Sequence, residues 1–452
     1  MKEQEIIAAI GEKLNIHQLN DLQKNVIKEV KPSSNAIIYS PTGSGKTLAF
    51  SFLVLKALKN FDREKLQVVI IAPSRELVIQ IYEVIKTIAI GHKVTPLYGG
   101  HNVGDEKQSI QNTPSIIICT PGRLLDHVNR GNISLTNVRQ LVLDEFDKSL
   151  ELGFENEMSK LLKKMPNLSR KILTSATVLN EIPQFVAMND FVELNLLKSN
   201  KPRLRTTIWK VESDDKDKLA TLRKLLYSLP EGKTIIFANY RDAVARIHQN
   251  LKQHAISAGI YNGALDQIDR EKAIAMFNNN TYPILVSTDL GSRGLDIKEV
   301  KHIIHYHLPS SEEAYIHRNG RTARVDKDGD VFILLGPDEE MPSYITADKD
   351  YTLRQEIPQK PIFGKNCTLF FKAGRKEKIS KADIVGFITN NSSVSSNKIG
   401  VINVYDHYAL VAIPREESTS ALKMLQVCKI KGKKVRIEEA SDVSISNQKH
   451  KL

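Results

Sequence analysis

The segment 40–47, with the sequence SPTGSGKT, constrains the fold of this chain more than any other. It follows an apolar run at 36–39 and opens a helical pattern, which predicts a strand, a glycine-rich loop and a helix. Glycines let backbone amides close around phosphate oxygens, and a helix N-terminus favours negative charge. Lys46 can reach the β- and γ-phosphates, and Thr47 can ligate Mg²⁺. The alternative, a chance match in a flexible turn, is disfavoured by this strand–loop–helix context.

Size and composition predict several soluble domains. At about 150 residues per domain, the 452 residues correspond to about three. Apolar residues make up 41% of the chain, and no apolar run approaches the roughly 18 residues that span a bilayer. The three cysteines are far apart and form no CxxC pair, which favours a reducing compartment. We therefore expect a cytoplasmic protein with no membrane association.

The charge balance favours a polyanionic partner. The net charge is +12, and residues 363–452 contain 16 basic and 8 acidic side chains, so this last fifth carries +8 of it. Charged residues mostly form solvated surface, so the total is weak evidence for nucleic-acid binding. Its concentration in one end segment is stronger evidence.

Hydrophobic patterns divide the chain into three blocks. Apolar runs alternate with amphipathic helical patterns in the first two blocks, which predicts two parallel α/β sheets. The runs lie at 36–39, 68–72, 115–119, 141–143 and 172–173, and then at 234–237, 256–261, 284–287, 303–306 and 331–335. The third block, with strands expected at 368–371, 400–404, 409–413 and 435–438, has the βαββαβ order of a small α+β module. We expect domains at 1–198, 199–345 and 365–441, a linker at 346–364 and a polar tail at 442–452.

Two adjacent acidic residues, Asp144 and Glu145, follow the run at 141–143. Phosphoryl transfer needs a carboxylate that holds Mg²⁺ and a group that orients the attacking water. An ordinary acidic loop is the alternative, but the phosphate loop in the same predicted sheet favours catalysis. Open α/β sheets bind ligands beyond the carboxyl ends of their strands. Polar segments follow all five predicted strands of this block, at 40–47, 73–77, 120–123, 144–147 and 175–177.

Together these motifs resemble those of the DEAD-box RNA helicases over roughly residues 15–336. The matching segments are 73–77 (PSREL), 99–100 (GG), 120–123 (TPGR), 144–147 (DEFD), 175–177 (SAT), 287–296 (STDLGSRGLD) and 317–324 (HRNGRTAR). The resemblance implies two RecA-like parallel-sheet domains in tandem that close on ATP, Mg²⁺ and RNA.

The resemblance also implies a role for each matching residue. Lys46, Asp144, Glu145, Arg321 and Arg324 would act in hydrolysis, with Thr47 and Asp144 at Mg²⁺. Gln23, Thr42, Gly43, Ser44, Gly45, Lys46, Thr47 and Asp296 would contact ATP, and Asp147, Ser175, Thr177 and His317 would couple the ATP state to RNA binding. RNA contacts would come from Pro73, Arg75, Gly100, Thr120, Pro121, Gly122, Arg123, Thr288, Asp289 and Arg293. The alternative for Arg321 and Arg324 is a solvated basic helix face.

Three departures from the family pattern affect the nucleotide site. Asn20 stands where the family has threonine, and Gln23 either reads adenine or lies on a helix surface. No aromatic residue precedes Tyr39, so we expect Ile6 to cover the adenine instead. Phe146 replaces alanine beside the catalytic acids, and we expect its bulk to slow turnover.

The third block resembles the C-terminal RNA-binding domain of the bacterial DbpA helicases, over residues 367–440. The resemblance implies an RRM-like fold that binds a hairpin of large-subunit (23S) ribosomal RNA within a pre-ribosomal particle. The expected RNA contacts are Arg375, Lys376, Lys431, Lys433, Lys434 and Arg436; a solvated basic hairpin is the alternative. We expect Phe370, Phe371, Tyr405 and Tyr408 to be core residues rather than stacking platforms for bases.

The combined prediction is a monomeric ATP-dependent RNA helicase that locally unwinds structured RNA. An ATP-gated RNA clamp with little unwinding is the first alternative, supported by Phe146 and the missing aromatic. A DNA-directed motor is the second, and the RNA-type motifs disfavour it. His302, His305 and His307 lie in an apolar run without a carboxylate or cysteine at ligand spacing, so we expect structural histidines rather than a metal site.

Overall fold

The computed structural model describes residues 2–41, 43–58, 64–100, 103–179, 181–197, 206–289, 297, 300–322, 329–354 and 358–441. Two compact units contain them, Met1–Pro202 and Arg203–Leu452. Among the predicted site residues, Thr42, Arg293, Asp296 and Arg324 lie outside the described part, as does the predicted polar tail at 442–452.

The first unit is built on a parallel sheet in the order β3-β4-β2-β5-β6-β1-β7. Its strands are β1 (Asn35–Tyr39), β2 (Val68–Ile71), β3 (Val94–Leu97), β4 (Ile116–Cys119), β5 (Gln140–Leu143), β6 (Arg170–Ser175) and β7 (Phe191–Asn195). Its helices are α1 (Glu3–Leu14), α2 (Asp21–Glu29), α3 (Lys46–Ala57), α4 (Arg75–Ile88), α5 (Val103–Ile110), α6 (Pro121–Asn129), α7 (Phe146–Glu151) and α8 (Glu155–Leu162).

Apolar cores cover both faces of this sheet, which explains the continuous apolar runs in its sequence. Every residue of β2 (VVII) and β4 (IIIC) is buried, and alternate residues enter opposite cores. The strand order then separates the loops at the carboxyl edge into two groups. The loops after β1, β5 and β6 are neighbours, and those after β2, β3 and β4 are neighbours on the other half of the sheet.

The second unit contains another parallel sheet, in the order β10-β11-β9-β12-β13-β8-β14. Its strands are β8 (Thr206–Glu212), β9 (Lys233–Phe237), β10 (Ala258–Tyr261), β11 (Ile284–Ser287), β12 (Val300–His305), β13 (Gly329–Leu335) and β14 (Lys349–Asp350). Its helices are α9 (Leu219–Ser228), α10 (Arg241–Gln253), α11 (Gln267–Asn278) and α12 (Glu312–Asn319).

A four-stranded antiparallel sheet, in the order β16-β17-β15-β18, forms a small C-terminal module within the second unit. Its elements are β15 (Asn366–Phe371), α13 (Lys381–Asn391), β16 (Ile402–Val404), β17 (Ala409–Pro414), α14 (Arg415–Leu425) and β18 (Ile437–Glu439). This confirms the expected fold class, two parallel-sheet domains followed by a βαββαβ module.

Within the segment 346–364, expected as a linker, described residues pair with strands and loops of the second domain. Strand β14 pairs with β8, and Ile362 forms a bridge with Ile256. The module itself is joined to the second domain at Asn366, the first residue of β15, whose backbone N–H donates to the Asn280 carbonyl (3.2 Å). Within the described residues, no helix is both long enough and apolar enough to cross a membrane.

Candidate nucleotide and RNA site

The glycine-rich loop lies between β1 and α3, as its sequence predicts. Gly43 and Gly45 have φ values of +77° and +92°, a left-handed conformation that favours glycine. Ser40, which stands at the usual first glycine, is fully buried, and its hydroxyl lies 2.9 Å from that of Ser44. The Lys46 ammonium donates to the carbonyl oxygens of Ser40 (2.5 Å) and Pro41 (3.1 Å), so it lies at the loop.

Gln23 and Asn20 hold the start of α2 against this loop. Each residue's side chain accepts from the other's backbone N–H, in a capping box. Gln23 also donates to the Gly45 carbonyl (3.4 Å), and Asn20 donates to that of Ser44 (2.9 Å). Because Gln23 is 6% exposed, the helix-surface alternative is wrong. The expectation for Ile6 is wrong as well, since it is fully buried in the core beneath α1.

The carboxylate of Asp144 is buried at the end of β5, where its charge is costly. Burial raises the pKa of Asp144, while the Thr174 hydroxyl and the Lys46 charge oppose that rise. Thr174 Oγ1 donates to Asp144 and accepts from the backbone N–H of Glu145 (3.3 Å). A divalent cation would relieve the cost of this buried charge, so Asp144 fits a Mg²⁺ ligand.

Glu145 adopts a strained backbone conformation at the first turn of α7. Its φ and ψ are +46° and +55°, a left-handed region that residues other than glycine rarely adopt. Such outliers cluster at functional sites, where the surrounding structure maintains them. The Thr174 hydrogen bond to its N–H contributes to holding Glu145 there.

Asp147 joins the loop after β5 to the loop after β6. Its Oδ2 atom accepts from the backbone N–H groups of Ala176 (3.1 Å) and Thr177 (3.2 Å) and from the Thr177 hydroxyl (2.9 Å). Ser175, in turn, donates to the Thr177 carbonyl at 2.5 Å. The three predicted coupling residues of the first domain therefore form one hydrogen-bonded group beside Asp144.

The Phe146 side chain lies in one of the two hydrophobic cores of the first domain. It is fully buried, and its ring centroid lies 6.4 Å from that of Phe185. Met158 and Val186 belong to the same core cluster. The expected crowding of the catalytic acids by this side chain is therefore not what the structure shows.

The predicted RNA contacts of the first domain lie on the other half of the sheet edge. Arg75 is the first residue of α4, after β2, and a Cβ at Gly99 would lie 3.2 Å from its Nη2 atom. Gly100, after β3, has a φ of +99°. Thr120 caps α6, after β4, followed by Pro121, Gly122 and Arg123. Pro73, Arg75, Gly100 and Arg123 thus come from three adjacent strands.

In the second domain, Asp289 forms an ion pair with Arg318, a residue that is fully buried. Arg318 also donates to Asn239 Oδ1 (2.7 Å) and to the His307 carbonyl (2.9 Å), and it lies 5.3 Å from the centre of the Phe237 ring. Asp289, predicted to contact RNA, is therefore held by the protein. Its neighbour Thr288 follows β11, with its N–H bonded to the Tyr261 carbonyl at 3.2 Å.

His317 and Arg321 lie at the end of α12 and just beyond it, and both are buried. This burial excludes a solvated helix face for Arg321. His302 and His305 lie in the core of the sheet, where burial lowers their pKa values to about 4 and about 3. His302 contacts Thr234 and His305 contacts Asn319, as expected for structural histidines.

The six basic side chains predicted to contact RNA in the C-terminal module are exposed, on loops between its helices and strands. Arg375 donates to the Val404 carbonyl (3.0 Å), Lys431 pairs with Asp383 (2.7 Å) and Arg436 with Glu438 (2.8 Å). The exposed set comprises Arg375, Lys376, Lys431, Lys433, Lys434 and Arg436.

The aromatic residues of the module occupy two cores. Phe371 packs among the module's helices, against Phe387. Phe370, Tyr408 and Tyr405 stack on one another, with centroids 5.3 and 4.5 Å apart, and pack against the second domain. The second domain therefore covers the sheet face that carries these three rings.

Sequence patterns missed three residues that organise these sites: Thr174, Glu106 and Arg318. Thr174 lies one residue before a recognised motif, and Arg318 lies inside one, yet neither has a partner nearby in sequence. Glu106 lies in α5, where only its burial distinguishes it from neighbouring charged residues.

Comparison with known families agrees with this arrangement. The model for DEAD/DEAH box helicases matches residues 20–185, that for the helicase conserved C-terminal domain matches residues 217–326, and that for the DbpA RNA binding domain matches residues 368–439.

Individual proteins show the same similarity. The ATP-dependent RNA helicase DbpA of Bacillus subtilis is 27% identical, over 93% of this chain and 94% of that protein. The ATP-dependent RNA helicase CshA of Limosilactobacillus reuteri is 31% identical, over 75% of this chain and 69% of that protein. Among solved structures, S. cerevisiae Dbp5 bound to RNA and ADP BeF3 superposes with a TM-score of 0.66 at 25% identity, covering 74% of this chain and 87% of that one.

Proposed function

Because the chain belongs to the DEAD-box family of ATP-dependent RNA helicases and is of the DbpA type, we propose that it locally unwinds structured RNA and that its C-terminal module directs it to large-subunit ribosomal RNA. The family makes it an RNA-dependent ATPase. The substrate, the target and the residue roles below are our proposals.

The arrangement at the carboxyl edge of the first sheet carries the proposal. The phosphate loop, the Asp144–Glu145 pair and the loop after β6 lie on adjacent strands, and Asp147 joins the last two. The predicted RNA contacts occupy the other half of the same edge. A shift of the loop after β5 would therefore reach the loop after β6 through hydrogen bonds.

In the proposed hydrolysis, Lys46 and the loop amides bind the phosphates of ATP, and Asp144 and Thr47 hold Mg²⁺. The Mg²⁺ would neutralise charge on the phosphate oxygens. Glu145 orients the attacking water from its strained position. Gln23, packed against Gly45, contacts adenine. Arg321 and Arg324 complete the site when the domains close, a contribution that can be worth about 10³–10⁵ in rate.

The proposed RNA contacts read the backbone rather than the bases. Arg75, Arg123 and the amides beside Gly100 and Gly122 are groups that hold phosphates, so RNA binding to the core should be independent of sequence and sensitive to salt. The closed clamp bends one strand so that its partner no longer fits. Separating base pairs costs about 1.4 kcal/mol per step on the scale for DNA, which suits the opening of a few pairs.

The C-terminal module determines which RNA the protein binds. It matches the DbpA RNA binding domain, and its exposed basic side chains lie on loops outside the face that the second domain covers. We propose that these loops bind a ribosomal RNA hairpin. Binding of the hairpin by the module tethers the protein to the RNA. This raises the effective concentration of nearby duplex at the two helicase domains, which bind RNA without sequence specificity.

A duplex-unwinding assay tests the proposal. One substrate carries a short duplex beside a hairpin of large-subunit ribosomal RNA, and the matched control carries a scrambled hairpin of equal length. We expect ATP-dependent unwinding of the first at much lower protein concentrations. Equal unwinding of both substrates would contradict the proposed targeting to ribosomal RNA. ATP-dependent binding of RNA without unwinding would favour a clamp. Two observations favoured a clamp, Phe146 and the missing adenine-stacking aromatic, and the burial of Phe146 in the core weakens the first of them.

A further inference from the structure

A buried carboxylate in α5, that of Glu106, links two of the loops to which we assign RNA contacts. Glu106 is 7% exposed. Its Oε1 atom accepts from the backbone N–H of Tyr98 at 3.1 Å, directly before Gly99 and Gly100. Its Oε2 atom accepts from Arg123 Nε at 2.5 Å and from His127 Nε2 at 2.8 Å. One side chain thus connects the loop after β3 to helix α6.

The partners of His127 indicate which of its ring nitrogens donates to Glu106. The Asn132 side-chain Nδ2 atom lies 3.1 Å from His127 Nδ1, and an amide nitrogen only donates. With Asn132 as the donor to Nδ1, His127 Nδ1 is the acceptor and Nε2 is the ring nitrogen that donates to Glu106. Glu106 forms an ion pair with Arg123, and their side chains are 8% and 13% exposed; Arg123 also pairs with Asp126.

The bond to Nε orients the rest of the Arg123 side chain. A guanidinium is planar, with its donors in a fixed fork, so a partner at Nε sets the plane and the direction of both Nη groups. Asp126 Oδ2 lies 3.9 Å from Nη1, too far for a hydrogen bond. Arg75, at the start of α4, lies against Gly99 in the loop after β3. Glu106 therefore holds the Arg123 guanidinium in a fixed position relative to the Gly99–Gly100 turn.

We propose that Glu106 is a positioning residue for RNA binding, which holds the Arg123 guanidinium and the Gly100 loop at the spacing of neighbouring phosphates. The inference rests on the proposed function, in which Arg123 and this loop contact the RNA backbone. Glu106 itself touches no RNA, since a carboxylate would repel phosphate.

Simple electrostatics predicts the opposite effect when Glu106 is changed. If Glu106 only neutralised Arg123, its removal would strengthen the attraction to a polyanion. If it positions Arg123, its removal weakens RNA binding although the protein becomes more positive. The sign of the change separates the two roles.

The test uses the full-length protein with the variants Glu106→Gln and Glu106→Asp. The glutamine variant lacks the charge and one acceptor, whereas the aspartate variant keeps the charge but is too short to hold Tyr98 and Arg123 together. For both variants, we expect the RNA concentration that half-maximally stimulates ATP hydrolysis to rise about tenfold. A rise of this size corresponds to the loss of one charge-assisted hydrogen bond. We expect the rate at saturating RNA to change by less than about twofold, because the variants weaken RNA binding and keep the catalytic groups.

The exposed neighbour Asp105 provides the matched control, because Asp105→Asn removes the same charge from the same helix.

Salt dependence and a double variant give independent readouts. The slope of log affinity against log salt should fall in magnitude by about 0.7 for each phosphate of single-stranded RNA that the protein no longer neutralises. Arg123→Ala should show this fall, and Glu106→Gln should weaken binding less in the Arg123→Ala background than in the unchanged protein, because only the Gly100 loop is then left for Glu106 to position. Additive effects would show a general structural role and overturn the proposal.

The outcomes separate this inference from the function on which it rests. If Arg123→Ala leaves RNA binding unchanged, the assigned RNA contact is wrong. If Arg123→Ala weakens binding while both Glu106 variants bind as tightly as the unchanged protein or more tightly, the contact holds and the positioning role is wrong. Thermal unfolding identifies a variant that has lost its fold, and the other Glu106 variant then decides.

Discussion

Thr174 donates its hydroxyl hydrogen to the carboxylate of Asp144, and the same oxygen accepts from the backbone N–H of Glu145. One side chain on β6 therefore orients the proposed Mg²⁺ ligand and the residue proposed to position water. We predict that Thr174→Val, which keeps the shape but removes the hydroxyl, lowers the RNA-stimulated rate of ATP hydrolysis about 10–100-fold, as removal of such supporting groups typically does. Steady-state hydrolysis at saturating ATP and RNA measures it.

Thr174→Ser is the matched control for this prediction. It retains the hydroxyl and loses only a methyl group, so most of the activity should remain. Equal losses in the two variants would mean that packing of the methyl group, rather than the hydrogen bonds, is what matters.

Asp144 should reduce the stability of the first domain while it supports catalysis. Burial raises its pKa above the ordinary carboxyl value of about 3.9, so its ionised form at neutral pH costs folding free energy. This loss of folding free energy is complete once the pH has risen through the raised pKa of Asp144, and it is absent below the ordinary carboxyl pKa. We predict that Asp144→Asn abolishes hydrolysis but raises the unfolding midpoint by about 2–4 °C near neutral pH.

The pH dependence provides the check on that prediction. Unfolding is followed without nucleotide and with a chelator, at about pH 7 and at about pH 3, which lies below the ordinary carboxyl pKa. The advantage of Asp144→Asn should be present at the higher pH and absent at the lower one. A variant that is less stable at both values would contradict the assigned cost of the buried charge.

Phe146 should matter for stability rather than for turnover. It is fully buried and packs beside Phe185 in the hydrophobic core. We predict that Phe146→Ala destabilises the first domain by about 3–5 kcal/mol, because it leaves a cavity. Urea unfolding measures the loss, and Phe146→Leu should lose less. A faster rate of hydrolysis in Phe146→Ala, with little loss of stability, would contradict this placement.

Arg415 should fasten the C-terminal module to the second domain. Its guanidinium donates to the carbonyl oxygens of Gly364 (2.8 Å), Thr281 (2.8 Å) and Asn366 (3.0 Å), and Thr281 precedes β11 of the second domain. We predict that Arg415→Ala destabilises the second unit by about 2–4 kcal/mol, because buried acceptors lose charge-assisted bonds.

The exposed Lys423 on the same helix provides the control for Arg415. Lys423→Ala removes the same charge and should change the unfolding free energy by less than about 0.5 kcal/mol. Equal effects of the two changes would show that net charge, rather than the fork of hydrogen bonds, stabilises the unit.

Sequence patterns predicted the strands that form buried apolar runs, including the edge strand β10, and missed β3, β7, β8 and β14. β2 and β4 are buried on both faces and are continuous apolar runs. β3 lies at an edge and contains Pro96, and β7 lies at the opposite edge with partly exposed residues. β8 is mostly half-buried and β14 is two residues long. These four strands bury less apolar surface, and an edge strand tolerates proline, so the pattern that identifies a buried strand is absent from them.

The same distinction applies to the site. Loops that bind phosphate need particular residue types in a fixed order, so Lys46 and Asp144 were identified from the sequence. Residues that support them need only a suitable hydrogen-bonding group at the right place in space. Thr174 and Asp144 are 30 positions apart, and Glu106 and Arg123 are 17 apart. Such pairs become visible only when the sheet brings their loops together.

Steady-state ATP hydrolysis tests the central claim most directly. A hairpin fragment of large-subunit ribosomal RNA is compared with an unrelated hairpin of equal length and charge, with Lys46→Ala as the inactive control. The account predicts strong stimulation by the ribosomal fragment at concentrations where the unrelated hairpin gives little. Equal stimulation by both RNAs would contradict the proposed address, and no stimulation by either would contradict the proposed catalytic site.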